Sequence, residues 1–307
     1  MTIRIAVVGL GKIAHDQHIA AITADAGFSL VATASADGAA LEGVPAFDCL
    51  DSLLNSGLAL DPVAVCTPPQ ARHRVAAEAL NAGLHVLLEK PPAASLSEVS
   101  ALVGLAERRG VTLFAAWHSR YAAGVAEARD WLAERTILGG AITWREDVRV
   151  WHPEQQWIWQ PGGLGVFDPG INALSILTQV LPAEVIVRDA TLETPANRQA
   201  PIAAQLSLQT TAGAAIEADF DFRQIGSQSW DIVLDTDAGQ LKLSGGGAQL
   251  MLPGGESGGP DREYPALYAE FARLIRARQS DCDVTPFRLV ADAFLRGRRR
   301  TVEPFED

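Results

Sequence analysis

The residues with the most chemical reach crowd into one stretch between Glu146 and Asn172: Glu146, Trp151, His152, Trp157, Trp159, Gly162-Gly163 and Asp168-Pro169-Gly170-Ile171-Asn172. Asp168-Pro169 has the form of a helix start, with aspartate as N-cap and proline in the first turn. Asp168 and Asn172 then stand four apart and meet on one face after one turn. A carboxylate beside a carboxamide can accept a proton from a hydroxyl and orient it. The same spacing equally fits a plain helix cap followed by a polar surface residue. Glu146, His152 and, further upstream, His118 are of types that hold vicinal hydroxyls in fixed directions. Trp151 has the flat face that stacks on a sugar ring. Each of these also has an ordinary structural use, as a satisfied histidine, a strand-face glutamate or a packing tryptophan. A lone cation, Lys90, follows Glu89 and precedes two prolines.

The elements that must position these groups begin at the first dozen residues. Ile3 to Val8 is a short apolar run that reads as a strand buried on both faces, and it ends in Gly9-x-Gly11-x-x-Ala14. Gly9 permits the tight turn, Gly11 lets backbone approach a pyrophosphate, and Ala14 lets helix and strand pack closely. The helix that follows Lys12, over residues 13–25 and beginning at Ile13, points free N–H groups and its positive dipole end at the phosphates. His18 lies near its start and faces either the cofactor or the packing. Phe28 to Ala34 reads as the second strand. Ser35 and Asp37 follow, roughly 20 residues past the glycine turn, where an adenosine ribose is read. An acid there bonds a 2′-hydroxyl and repels a 2′-phosphate, which favours NAD over NADP. Strands at Val63 to Cys66 and His85 to Leu88 alternate with helices at Asp48 to Gly57, His73 to Gly83 and Leu96 to Arg109, and Val111 to Ala116 closes the pattern. This is a doubly wound α/β Rossmann sheet. Thr67-Pro68-Pro69 ends one strand at its carboxyl end, the ligand side of a parallel sheet.

Thr67-Pro68-Pro69, His73, Ala82-Gly83-x-His85-Val86 and Glu89-Lys90-Pro91 stand in the order and spacing of the glucose–fructose oxidoreductase/inositol dehydrogenase (Gfo/Idh/MocA) family, which the chain resembles over nearly its whole length. The resemblance implies a dinucleotide-binding domain over residues 1–118. It implies a substrate and oligomerisation domain over 119–307 with a large, mostly antiparallel sheet, and a final helix that packs back on the first domain. It places Thr67, Pro68, His73 and Glu89 with the cofactor, and Lys90 at the junction of nicotinamide and substrate. Family members carry an Asp-x-Gly-x-His segment whose histidine works with the lysine. This chain keeps Asp168 and Gly170 but has Asn172 in place of the histidine. A sub-branch that oxidises free aldoses at C1, of the L-arabinose and D-galactose 1-dehydrogenase type, has this Asp…Asn arrangement. Base catalysis then falls to Asp168 or Lys90.

The second half agrees. After Arg120 the alternation stops. Val125 to Glu134 reads as a helix and Ala141 to Val150 as a strand. Ala203 to Leu208, Ala214 to Phe222, Ser229 to Leu234 and Gln240 to Leu243 read as antiparallel strands, with Asp237-Ala238-Gly239 as a turn. Gly245 to Gly259 reads as a flexible loop. Tyr264 to Arg278 and Phe287 to Arg296 read as helices, and Arg298-Arg299-Arg300 as a basic end matched to the helix dipole.

The formal charge, 25 − 37 = −12, and 48% hydrophobic residues describe an acidic globular protein and argue against a nucleic-acid role. Cys49, Cys66 and Cys282 form neither a metal spacing nor a disulfide framework, which fits a reducing cytoplasm. The chain enters a strand at once, leaving no room for a signal peptide, and no apolar run is long enough for a membrane span. The expectation is an NAD(P)-dependent sugar dehydrogenase without metal, acting on a small-molecule sugar at its anomeric carbon, and a homodimer by family analogy. A cyclitol dehydrogenase and a non-catalytic sugar or dinucleotide sensor are the alternatives.

Overall fold

Ile5, Ala6, Val7 and Val8 are all buried, so the first apolar run is an interior strand shielded on both faces. In the computed structural model, which describes residues 2–306, it is β1 (Ile3–Val8). It pairs in parallel with β2 (Phe28–Ala34) on one side and β4 (Pro62–Val65) on the other. With β3 (Ala46–Phe47), β5 (His85–Glu89) and β6 (Leu113–Ala116) they make a six-stranded parallel sheet of order β3-β2-β1-β4-β5-β6. The order reverses between β1 and β4, so the loops after Val8 and Val65 flank the crevice where such sheets bind ligands. The intervening helices are α1 (Ile19–Ala24), α2 (Leu50–Asn55), α3 (Pro69–Asn81) and α4 (Leu96–Arg109). Their ends follow local chemistry. Pro69 takes the first position of α3. Ser95 and Glu98 form a capping box on α4, and Gly110, at φ 66°, ends it.

Beyond Trp117 come α5 (Val125–Leu132), β7 (Ile137–Arg145), α6 (Val148–Trp151), α7 (Phe167–Val180) and β8 (Val185–Pro195). β9 (Ala203–Thr210), β10 (Ala215–Asp221), β11 (Ser229–Thr236), β12 (Gly239–Ser244), β13 (Gln249–Leu252) and β14 (Gly255–Gly258) follow. The described chain finishes with α8 (Glu263–Ala277), α9 (Thr285–Arg296) and β15 (Arg298–Val302). The nine-stranded sheet runs β14-β13-β12-β11-β7-β10-β9-β8-β15, antiparallel except at β7/β10 and β8/β15. Side chains alternate along it. Ile142, Trp144, Leu206, Leu208, Ile216, Phe220, Ile232 and Leu234 are buried under the helices. The other face carries polar cross-strand pairs such as Ser207–Glu217 and Lys242–Asp231.

Two compact units result. The first holds the chain up to Trp117 plus Tyr264–Val284, and the second holds His118–Glu263 plus the chain from Thr285. This corrects the single boundary at 118/119 and the return of the final helix. The helix that joins the first unit is α8. Its Tyr264 and Tyr268 meet the His18 ring, and its Phe271 stacks on Phe114. The segment after it runs beside β6, with Ala115 N–H donating to the Asp281 carbonyl. The apolar face of α9, with Phe287, Leu289 and Val290, is buried in the second unit, where the helix packs on α7 and β8.

Other local differences have equally local causes. Val148 to Val150 do not extend a strand, because Asp147 accepts the Arg149 N–H and caps a short helical turn. Gly245 to Gly258 form a 3-10 turn and the β13/β14 hairpin rather than a loop. The three arginines extend along the edge of β8 as part of β15 rather than ending a helix.

Candidate active site

At the first crevice, Gly9 adopts φ +94°, and a side-chain carbon there would lie 2.7 Å from the Thr67 amide nitrogen. Gly11 has open space on the corresponding side, with nothing within 4 Å. A backbone that is bare at one glycine and closely packed at the other fits a pyrophosphate cradle. The chain then winds through a wide π turn (Ala14–His18) into α1, with Ile13 at its start. Lys12 is exposed and paired with Asp16. Across the crevice the Ser35 hydroxyl accepts the Leu10 N–H at 3.2 Å and donates to Asp37 Oδ1 at 2.7 Å. Asp37 also accepts the Ala39 N–H. The Ser35 hydroxyl, with that amide, holds the Asp37 carboxyl below its usual range, so it stands as a fixed anion where a ribose would be read.

The loops carrying Thr67-Pro68 and Glu89-Lys90-Pro91 are tied by a residue that sequence reasoning missed. Arg72, 3% exposed, donates to the carbonyls of Thr67, Glu89 and Pro91. Nothing in its type or spacing separates it from a surface arginine of α3. His73 beside it is half-buried, and the Lys90-Pro91 peptide is cis.

Glu89 is 2% exposed and held by buried partners. Its Oε1 accepts the Tyr264 hydroxyl at 2.6 Å and lies 3.0 Å from His18 Nε2, and its Oε2 accepts the Lys90 N–H at 2.8 Å. His18 Nδ1 contacts the Tyr268 hydroxyl at 2.7 Å. Glu89, expected beside the cofactor, thus supports the Lys90 backbone, and His18 is its fully buried partner. Burial alone would lower the His18 pKa. Cys66, Tyr268 and Glu89 around it reverse that and hold it well above the usual range. The Tyr268 phenol is pushed up to about 12, by burial first.

The second unit gathers a second cluster. Glu146 follows β7 and is 3% exposed. Its Oε2 accepts the Trp230 indole N–H at 2.9 Å, and its Oε1 lies 3.0 Å from His152 Nε2. His152 Nδ1 in turn faces Asp168 Oδ2 at 3.8 Å. The capped turn at Asp147 projects Trp151 and His152 together, and Trp151, 37% exposed, leans on Trp230 with ring centres 4.8 Å apart. Trp230, also missed, is an aromatic platform and a carboxylate donor at once. Its alternation with Ile232 marks its face, but only the strand register sets it against Trp144. Phe222 closes the His152 ring from another side at 5.6 Å.

Asp168 is not an N-cap. The helix starts at Phe167 behind Val166, which places Asp168 inside the first turn, with its carboxylate facing His152. The glycine loop before it is dense. A side-chain carbon on Gly163 would lie 2.0 Å from the Trp157 carbonyl. Gly170 lets α7 lie on the Phe220 ring. Asn172 is half-buried one turn beyond Asp168. His118 is held by Glu263 at 2.5 Å, and Trp159 packs on Phe222 and Phe305.

Among the described residues no His/Cys/Asp/Glu group is arranged to hold a metal ion, and no helix is long and apolar enough to cross a membrane.

Residues 3–117 match the profile of an oxidoreductase family with an NAD-binding Rossmann fold, GFO_IDH_MocA. The chain is 45% identical over 306 residues to galactose 1-dehydrogenase of Pseudomonas fluorescens, covering 99% of both. It is 37% identical over 113 residues to UDP-N-acetylglucosamine 3-dehydrogenase of Acidithiobacillus ferrooxidans, covering 36% of this chain and 35% of that one. The crystal structure of a D-galactose-1-dehydrogenase protein from Rhizobium etli superposes with TM-score 0.95 at 52% identity, covering 99% of this chain and 98% of that one. A 3-ketoreductase from Actinomadura kijaniata shares the fold at TM-score 0.85 and 18% identity, covering 98% of this chain and all of the other.

Proposed function

The chain belongs to the Gfo/Idh/MocA oxidoreductases, and on that premise we propose that it is an aldose 1-dehydrogenase that oxidises the anomeric C1 hydroxyl of a D-galactose-type pyranose to the lactone. The reading is carried by similarity to galactose 1-dehydrogenases along the whole chain. The site chemistry supports it. Asp168 is kept beside His152 and Glu146, while Asn172 stands where a histidine base is expected. An anomeric hydroxyl is more acidic than an ordinary secondary alcohol, so a carboxylate suffices as its base. D-galactose, L-arabinose and D-fucose share their configuration at C2 to C4 and suit one pocket.

Gly9, Gly11, the Lys12 and Ile13 backbone, Thr67, Pro68 and His73 hold the dinucleotide, with Ser35 and Asp37 at the ribose. The bound dinucleotide supplies the hydride acceptor. Asp37, fixed as an anion, repels a 2′-phosphate, so NAD is preferred to NADP. Asp168 accepts the O1 proton, Asn172 orients the hydroxyl, and Lys90 stabilises the developing oxyanion. Trp151 stacks on the sugar ring, and Glu146, His152 and His118 serve its polar surroundings. The reading also includes a homodimer and the reducing cytoplasm, which suits three free cysteines.

Product analysis tests it. D-galactose with NAD should yield galactonolactone and then the acid. A ketose-type product would overturn the C1 assignment.

A further inference from the structure

Glu146, His152 and Asp168 come from three different elements and line up as carboxylate, imidazole, carboxylate. A sugar ligand does not need that order. With Glu146 ionised and accepting the Trp230 N–H, His152 carries its proton on Nε2 toward Glu146 Oε1, and its Nδ1 lone pair points at Asp168. At 3.8 Å the unprotonated Nδ1 and an ionised Asp168 Oδ2 share no hydrogen bond. Catalytic hydrogen bonds are often long before substrate binds. The gap closes once Asp168 holds a proton, because its hydroxyl can then donate to Nδ1.

We propose that His152 is the second member of a proton relay, taking from Asp168 the proton that Asp168 takes from the sugar. This rests on the C1-oxidation reading above. The balance is complete. The O1–H bond breaks and its proton passes to Asp168 Oδ. The C1–H bond breaks with its electron pair leaving as hydride to the oxidised nicotinamide. The C1–O1 bond becomes a carbonyl. The proton then moves from Asp168 Oδ to His152 Nδ1, which leaves an imidazolium between two carboxylates and Asp168 ionised again. Glu146 stabilises that imidazolium, and Trp230 fixes Glu146. The histidine absent from position 172 is in this way supplied from the turn after β7, one proton transfer further from the sugar.

Among the described residues, the charged groups that face His152 include Glu146, at the end of β7, and Asp168, on α7. Phe222, after β10, contributes an apolar ring, and the Asp147–Arg149 pair lies on the turn that carries His152. Full-length protein is assayed with D-galactose and NAD across pH, as wild type, His152→Gln and Glu146→Gln. A relay predicts that His152→Gln lowers kcat about 10- to 100-fold, with the sugar KM within about threefold. It also predicts that the acid limb of the kcat profile moves to lower pH in His152→Gln. Glu146→Gln, which keeps the hydrogen-bonding shape without the charge, should lower kcat less. A large rise in sugar KM with an unmoved acid limb would make His152 a sugar ligand only and overturn the relay. An unchanged variant would do the same. Silence of the wild type with every aldose would remove the substrate reading, and the relay with it.

Discussion

The backbone N–H of Lys90 donates to the carboxylate of its own neighbour, Glu89, at 2.8 Å, and the same carboxylate is held from the far side by Tyr264 and His18. The cation therefore stands on a loop whose backbone is fixed by buried groups. Glu89→Gln keeps an acceptor but loses the charge, and should lower kcat with little change in sugar KM. Glu89→Ala leaves buried donors unmet and should also cost about 1–3 kcal/mol of stability. Steady-state kinetics and denaturant titration on both variants separate the two effects.

The pH dependence of stability should carry the signature of His18. Its pKa is raised in the folded protein from the ordinary value of 6.5. The folded state thus binds the proton more tightly than the unfolded state. That contribution is complete below pH 6.5 and is lost as pH rises through the folded-state value. Urea titrations of wild type and His18→Gln should differ most below that pH and converge above it. A gap that widens with pH would contradict the sign.

Asp168→Asn should lower turnover about 100- to 10,000-fold while near-native folding, read by circular dichroism, is kept. Asn172→Ala should weaken turnover less and sugar binding more. Near-normal turnover in Asp168→Asn would remove Asp168 as base.

On the proposed reading of the ribose site, Asp37→Ala should favour NADP relative to the wild type, because it removes the fixed anion that opposes a 2′-phosphate. The readout is the ratio of kcat/KM for the two cofactors. An unchanged ratio would place cofactor choice elsewhere.

Gly163→Ala should destabilise by about 1–3 kcal/mol, because the added carbon would meet a carbonyl at 2.0 Å that belongs to backbone and cannot swing away. Thermal unfolding checks it.

The parallel sheet was legible because β1, β4 and β5 are short runs buried on both faces, and because Gly9 and Thr67-Pro68 mark their ligand ends. Asp168, Glu146 and His152 were legible as types, but their alignment was not. It depends on Asp147 capping a turn where the apolar alternation suggested more strand, and on a strand register that brings Trp230 to Glu146. Asp168-Pro169 misled for a related reason. The pair has a cap's chemistry, yet the helix starts two residues earlier than that cap would place it, at Phe167 behind Val166. Arg72 gave no signal, because a buried arginine that serves only carbonyls looks in sequence like any other on a helix. The exchange of α8 and α9 between units reflects which apolar faces find partners, and their stripes alone do not reveal it.

Oxidation at the anomeric carbon requires that hydride leave from C1 of the sugar. D-galactose deuterated at C1, turned over with NAD, tests it most directly. The reduced cofactor should carry the deuterium, and the lactone should have lost it. Deuterium retained in the sugar product, with cofactor reduced all the same, would contradict it.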